Sequence, residues 1–220
     1  MSLFQLDPQS IAARVQASRQ PPRVPSLGAS ILRGILGFTL VSVAAFSMWP
    51  MIDRWFPWMG ETGLYVASTA VFIGLSGPLL HRLIIGPGSL ARFYKVFTLA
   101  FTAYVIAWAA FWMWLRSDAG EMLGLLGGTA AMGAILAFAF DARRSVVKII
   151  AALFVLNAIG YRAGGWIEGK LAIDHRLAAI MLWGICYGAG FGAGLGMAFH
   201  FCQARARAVS CGRSSGGSAW

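Results

Sequence analysis

Charge is what this chain has least of. Asp, Glu, Lys and Arg supply 12% of its 220 residues, against about 25% in an ordinary soluble domain. A surface wetted on every side cannot be built from so little charge. With 58% apolar residues and a mean hydropathy of +0.68, the excess apolar area is directed to lipid. Cysteine is scarce too: Cys186, Cys202 and Cys211 fit neither a disulfide framework nor a zinc spacing, and all three are expected to be unpaired thiols. The chain carries no H-E-x-x-H, no Walker-type loop, no ladder of arginines and no carboxylate in the middle of an apolar run. These gaps speak against a zinc hydrolase, a nucleotide-driven pump, a voltage sensor and a proton-coupled antiporter. A passive pathway, a binder of neutral solutes or a non-catalytic subunit survives, and no cofactor is predicted.

What the chain does have is apolar length. A helix needs about 20 apolar residues to cross a hydrocarbon core ~30 Å thick, and six segments meet that need: Gly34–Ile52, Gly63–Ile85, Val96–Leu115, Met122–Phe140, Val146–Trp166 and Leu177–Cys202. The fold class is therefore all-α, a polytopic membrane protein with six transmembrane helices. Residues 29–203 form the membrane domain. Residues 1–28 form a basic tail in which Asp7-Pro8 reads as the start of a short amphipathic helix, and residues 204–220 form a second tail ending in linker-like Gly and Ser.

Lys and Arg fix the orientation. Arg14, Arg19, Arg23 and Arg33 precede the first span; Arg82, Arg92 and Lys95 fill the second loop; Arg143, Arg144 and Lys148 fill the fourth; and Arg205, Arg207 and Arg213 follow the last span. Only Arg54, Arg116, Arg162, Lys170 and Arg176 fall on the other side. Both termini are expected in the cytoplasm, with the chain in a bacterial inner membrane. The net charge of +10 is then a topology signal and no reason to invoke nucleic acid. Trp49, Trp55, Trp58, Trp112, Trp114 and Trp166 cluster at the opposite ends of the spans, where indoles act as interfacial anchors.

Three groups of residues could carry function. The first is glycine: Gly184, Gly188, Gly192 and Gly196 form overlapping G-x-x-x-G units, a glycine zipper, on one face of the sixth span, and Gly190 with Gly194 adds a second face. Such faces admit close backbone approach. They suit packing within the bundle, a homo-oligomer or a larger membrane complex. The second group is polar: Ser76, Asn157, Tyr161 and Tyr187 would line a path for a small neutral or weakly charged solute, with Asn157 seeking a partner on another helix. Pro78 should kink or open the second span near Ser76. The glycine-containing stretches Gly74–Pro78 and Gly160–Gly165 stand in corresponding places of the second and fifth spans, as interrupted helices do in inverted-repeat transporters.

The third group is histidine. His81 and His200 share a depth and could ligate haem or a metal ion. The string Gly74-Leu75-Ser76-Gly77 resembles the serine motif of rhomboid intramembrane proteases. That resemblance implies Ser76 as nucleophile and His200 as base in an intramembrane hydrolase, although the motif falls on the second span here and on the fourth in rhomboids. The leading expectation is a non-catalytic accessory, assembly or scaffold subunit that works through its glycine-rich helix. The alternatives are a channel or transporter for a small solute and the serine hydrolase.

Overall fold

A computed structural model describes residues 4–18 and 24–212, without the side chains of Asp53 and residues 209–212. Arg19, Arg23, Arg213, the Cys211 side chain and the Gly/Ser-rich ending lie outside the described residues. The elements are α1 (Pro8–Ala17), α2 (Leu27–Trp55), α3 (Gly60–Leu80), α4 (Ser89–Leu115), α5 (Asp118–Ala139), α6 (Val146–Leu171), α7 (Arg176–Cys202) and α8 (Ala204–Gly212). Six of them, α2 to α7, are long and apolar enough to cross a membrane.

The helices outrun the apolar windows because nothing in the flanking residues stops them before a cap is met. Ser26 caps α2 by accepting from Ala29 N–H, and Ser117 caps α5 by accepting from Gly120 N–H. Ser89, the first residue of α4, is not its cap. Gly88 is the cap of α4, with φ at 68°, and the Ser89 hydroxyl instead meets His81 Nδ1 at 2.8 Å.

Each spanning helix packs on the next in chain order, and α7 returns to α2, so the six close a ring. The tightest packing is α7 between α2 and α6. A β-carbon at Gly188 would stand 2.7 Å from both Thr39 Cα and Ser42 Cβ, one at Gly196 would stand 2.8 Å from Ile31 Cα, and one at Gly192 would collide with the Gly34 carbonyl. On the other face a β-carbon at Gly190 would stand 2.8 Å from Gly160 Cα, and one at Gly194 would stand 3.2 Å from Leu153 Cα. Gly184 meets the Phe46 side chain. Lipid supplies no hydrophobic drive between helices, so these contacts stabilise through dispersion at backbone distance. Both glycine faces of α7 are thus turned to helices of the same chain.

Neither interrupted helix is found. α3 runs unbroken through Ser76 and Pro78 before tightening into a 3-10 turn at His81–Leu83, and α6 runs unbroken through Gly160–Gly165. Proline at 78 removes the N–H that would bond the carbonyl four residues earlier, at Gly74. The Tyr94 hydroxyl of α4 donates to that carbonyl at 2.6 Å. Gly77 is what lets it in, since a β-carbon there would strike the Tyr94 ring. Gly77 and Tyr94 together therefore repair a proline defect in a helix that cannot turn to water.

At the end that carries both termini, loop backbone is tied by two buried polar side chains. Gln203, 2% exposed, donates to the carbonyls of Leu83 and Phe199 at 2.8 and 3.0 Å and accepts from Ile85 N–H at 2.8 Å. Arg92, read as a loop cation, is 4% exposed and donates to the carbonyls of Ile85, Gly86 and Pro87. The helix foreseen after Asp7-Pro8 forms, with Asp7 accepting from Ser10 N–H at 2.9 Å. It packs on α8 and fully buries Leu6 and Ile11.

Two measurements check this packing. Gly192→Leu should lower unfolding stability in mixed micelles by more than about 3 kcal/mol, the upper end of overpacking penalties, whereas Gly165→Ala, at a position with open space, should leave it unchanged. Tyr94→Phe should cost ~1–2 kcal/mol by orphaning the Gly74 carbonyl. In a Pro78→Ala background, where an N–H returns to that carbonyl, the same change should cost almost nothing.

Candidate functional site

In the half of the ring remote from the termini, the inward stripes of five helices line a partly open cavity of about 110 Å³. Helical spacing builds each stripe. α2 contributes Phe46 and Trp49; α3 contributes Tyr65, Ser68, Thr69 and Phe72; α4 contributes Phe101, Tyr104, Val105, Trp108 and Ala109; α6 contributes Tyr161; and α7 contributes Trp183 and Tyr187. No Lys, Arg, His, Asp or Glu among the described residues lines it. Phe38 and Phe191 stack at 4.7 Å against one another and lie 5.4 Å and 6.0 Å from Phe72 and Phe101 respectively, so packed rings stand on the terminus side of the cavity.

The polar groups of the site are few and deep. Asn157, 0% exposed, donates from Nδ2 to the Tyr104 hydroxyl at 3.1 Å, and the Tyr104 and Tyr187 hydroxyls meet at 3.4 Å. One phenolic proton is spent on the bond between the two tyrosines, whichever of them donates. With the Asn157 amide in this orientation the other proton finds no acceptor among the described residues, and Asn157 Oδ1 finds no donor there. Ser68, 7% exposed, also has an unpartnered hydroxyl. Buried polar groups are rarely left so.

The rim is charged and paired. Tyr65 donates to Glu61 at 2.7 Å, and Glu61 receives Arg116 at 3.1 Å and the Trp112 indole at 3.5 Å. Tyr161 hydrogen-bonds Glu121, which lies 4.0 Å from Arg162. These links join α3 to α4 and α5 to α6 above the cavity without placing a charge inside it.

No protein-family model, curated protein or solved structure matches this chain.

Of the residues singled out for a solute path, Tyr161 and Tyr187 line the cavity and Asn157 holds its floor through Tyr104. Ser76 does not line it. Ser76 is buried one turn farther along α3, and its hydroxyl has no hydrogen-bond partner among the described residues, His200 included. His200 Nδ1 is likewise unpartnered, while His81 is engaged with Ser89. Among the described residues no hydrogen bond thus joins Ser76 to His200 or one histidine to the other. Among the described residues no group of three or more His, Cys, Asp or Glu could hold a metal ion. Cys186 and Cys202 are free thiols.

Most of the lining went unread. Trp55, Trp58, Trp114 and Trp166 are strongly exposed, as anchors should be, but Trp49 turns inward to the cavity. The signal was in the spacing: Tyr65-Ser68-Thr69-Phe72 and Phe101-Tyr104-Val105-Trp108 each mark one helical face.

Tyr104→Phe should destabilise the protein by ~1–3 kcal/mol, because the Asn157 amide is then left unpaired. Adding Asn157→Leu should recover much of that loss, a coupling that a double-mutant cycle by thermal unfolding in detergent measures.

Proposed function

We propose that this chain is an integral protein of a bacterial inner membrane, with both termini cytoplasmic, that binds a small neutral solute in the half of its helix ring remote from the termini. The observation that carries this reading is an uncharged aromatic cavity whose floor has a hydroxyl proton with no acceptor among the described residues. Ligand sites are typically apolar concavities with a few convergent polar groups, and this one has that make-up. Lining without charge favours a neutral occupant, since a buried ion needs a partner. The role is that of a carrier or receptor for the solute; the rings of Phe38 and Phe191 on the terminus side do not favour an open channel.

The assembly role has less behind it. The glycines that would serve it face α2 and α6 of the same chain, which leaves no specific observation to favour contact with another subunit. A hydrolase acting through Ser76 lacks a base in hydrogen-bond reach.

Native mass spectrometry of protein released directly from its membrane tests the reading. The wild type should carry an added small mass, and Ala109→Phe, which fills the cavity, should lose it while keeping its helix content. A wild type that leaves the membrane with no bound mass would contradict the proposal.

A further inference from the structure

The structure carries the identity of the solute one step further. We propose that the occupant is a lipid-soluble ring bearing an acceptor oxygen, of the quinone or cyclic ketone class, taken up from the bilayer. This rests on the reading of the cavity as a solute site.

Size sets the first limit. A cavity of about 110 Å³ is close to the ~150 Å³ of an engineered apolar cavity that holds benzene, so it receives one ring, with any tail remaining outside. Chemistry sets the second. Aromatic walls favour a flat apolar body that can lie against them face or edge on. The floor supplies one phenolic O–H from the Tyr104–Tyr187 pair, and the wall supplies the Ser68 hydroxyl; neither has an acceptor among the described residues. A carbonyl oxygen satisfies the phenol. Charge sets the third. An anion would find no Lys, Arg or His in the lining. A quaternary ammonium would suit the rings, but no carboxylate among the described residues lines the cavity to balance its charge, and those behind Tyr65 and Tyr161 are already engaged by Arg116 and Arg162.

Position indicates the source. Nine lining residues, Tyr65 to Phe72 on α3 and Phe101 to Ala109 on α4, belong to the two helices whose contact is the sparsest in the ring. That seam is tied at one end by Tyr94 on Gly74 and at the other by Arg116 on Glu61. Val66 and Ile106 on the same two helices are exposed apolar residues suited to lipid. The cavity therefore sits at the loosest seam of a wall that faces the hydrocarbon.

The test places the full-length protein in lipid nanodiscs and compares three probes with equal alkyl tails: a decyl-benzoquinone, decylbenzene and decyltrimethylammonium. Retention is measured over protein-free discs. The quinone should bind saturably and at least tenfold more tightly than decylbenzene, its carbonyl stretch should shift to lower frequency when bound, and the ammonium should not bind. Tyr104→Phe combined with Tyr187→Phe and Asn157→Leu removes the phenolic donor without stranding the amide and leaves the Ser68 hydroxyl in place. It should lower quinone affinity about tenfold and leave decylbenzene unchanged; the carbonyl shift in wild type serves if that variant does not fold. Equal binding of quinone and decylbenzene with no carbonyl shift would overturn the ligand class while leaving the solute site standing, as would tighter binding of the ammonium. Binding of all three that Ala109→Phe does not reduce would overturn the solute site as well.

Discussion

Backbone-to-backbone contact along α7 is the constraint on which the rest depends. In a bilayer the lipid tails are as apolar as any leucine, so two helices gain by touching only where they can touch closely. Gly188, Gly192 and Gly196 let α7 lie on Thr39, Gly34 and Ser30 of α2, and Gly190 lets it lie on Gly160 of α6. Three helices are thereby drawn into a tight wall. The same glycines leave little side-chain volume on that wall, and the space inside the ring must be filled from elsewhere.

It is filled by aromatic rings. Phe38, Phe72, Phe101 and Phe191 meet across the ring at centroid distances from 4.7 to 6.3 Å, and Phe93, Phe97 and Phe199 extend the cluster toward the termini. Toward the other end the filling stops short. There the rings are tethered by their polar tips, Tyr65 to Glu61 and Tyr161 to Glu121, and the space between them is the cavity. Tight packing on the α2–α7–α6 side and loose packing at the α3–α4 seam are two consequences of one distribution of glycine. Small residues are concentrated in α7, whereas α3 and α4 meet through large side chains such as Tyr94 and Trp108.

Much of this was legible in one dimension and some was not. The six spans were, because hydropathy summed over ~20 residues hardly depends on which way any residue faces. The two glycine faces of α7 were as well, since a four-residue spacing is a geometric statement about a helix. Asn157 was legible as an amide in need of a partner, but Tyr104 could not be named without knowing which helices face each other across the ring. Gly74 and Pro78 suggested a broken helix because the compensating hydroxyl, Tyr94, lies on another span. The solute path was legible at Tyr161 and Tyr187, but the rest of its aromatic lining was not, for a related reason. Whether Trp49 or Trp108 anchors the interface or lines the interior is a matter of rotation about a helix axis, and that rotation is set by packing.

The claim at the centre of this account is that the aromatic space between α3, α4 and α7 is an occupied site and not a packing flaw. A high-resolution density map of the protein in lipid nanodiscs formed without detergent extraction of small molecules tests it most directly. The account predicts a ring-sized feature bounded by Tyr65, Ser68, Trp108 and Tyr187, with an atom within hydrogen-bond distance of the Tyr104 or Tyr187 hydroxyl. A map in which those side chains have closed on one another, leaving no volume for a ligand, would contradict it.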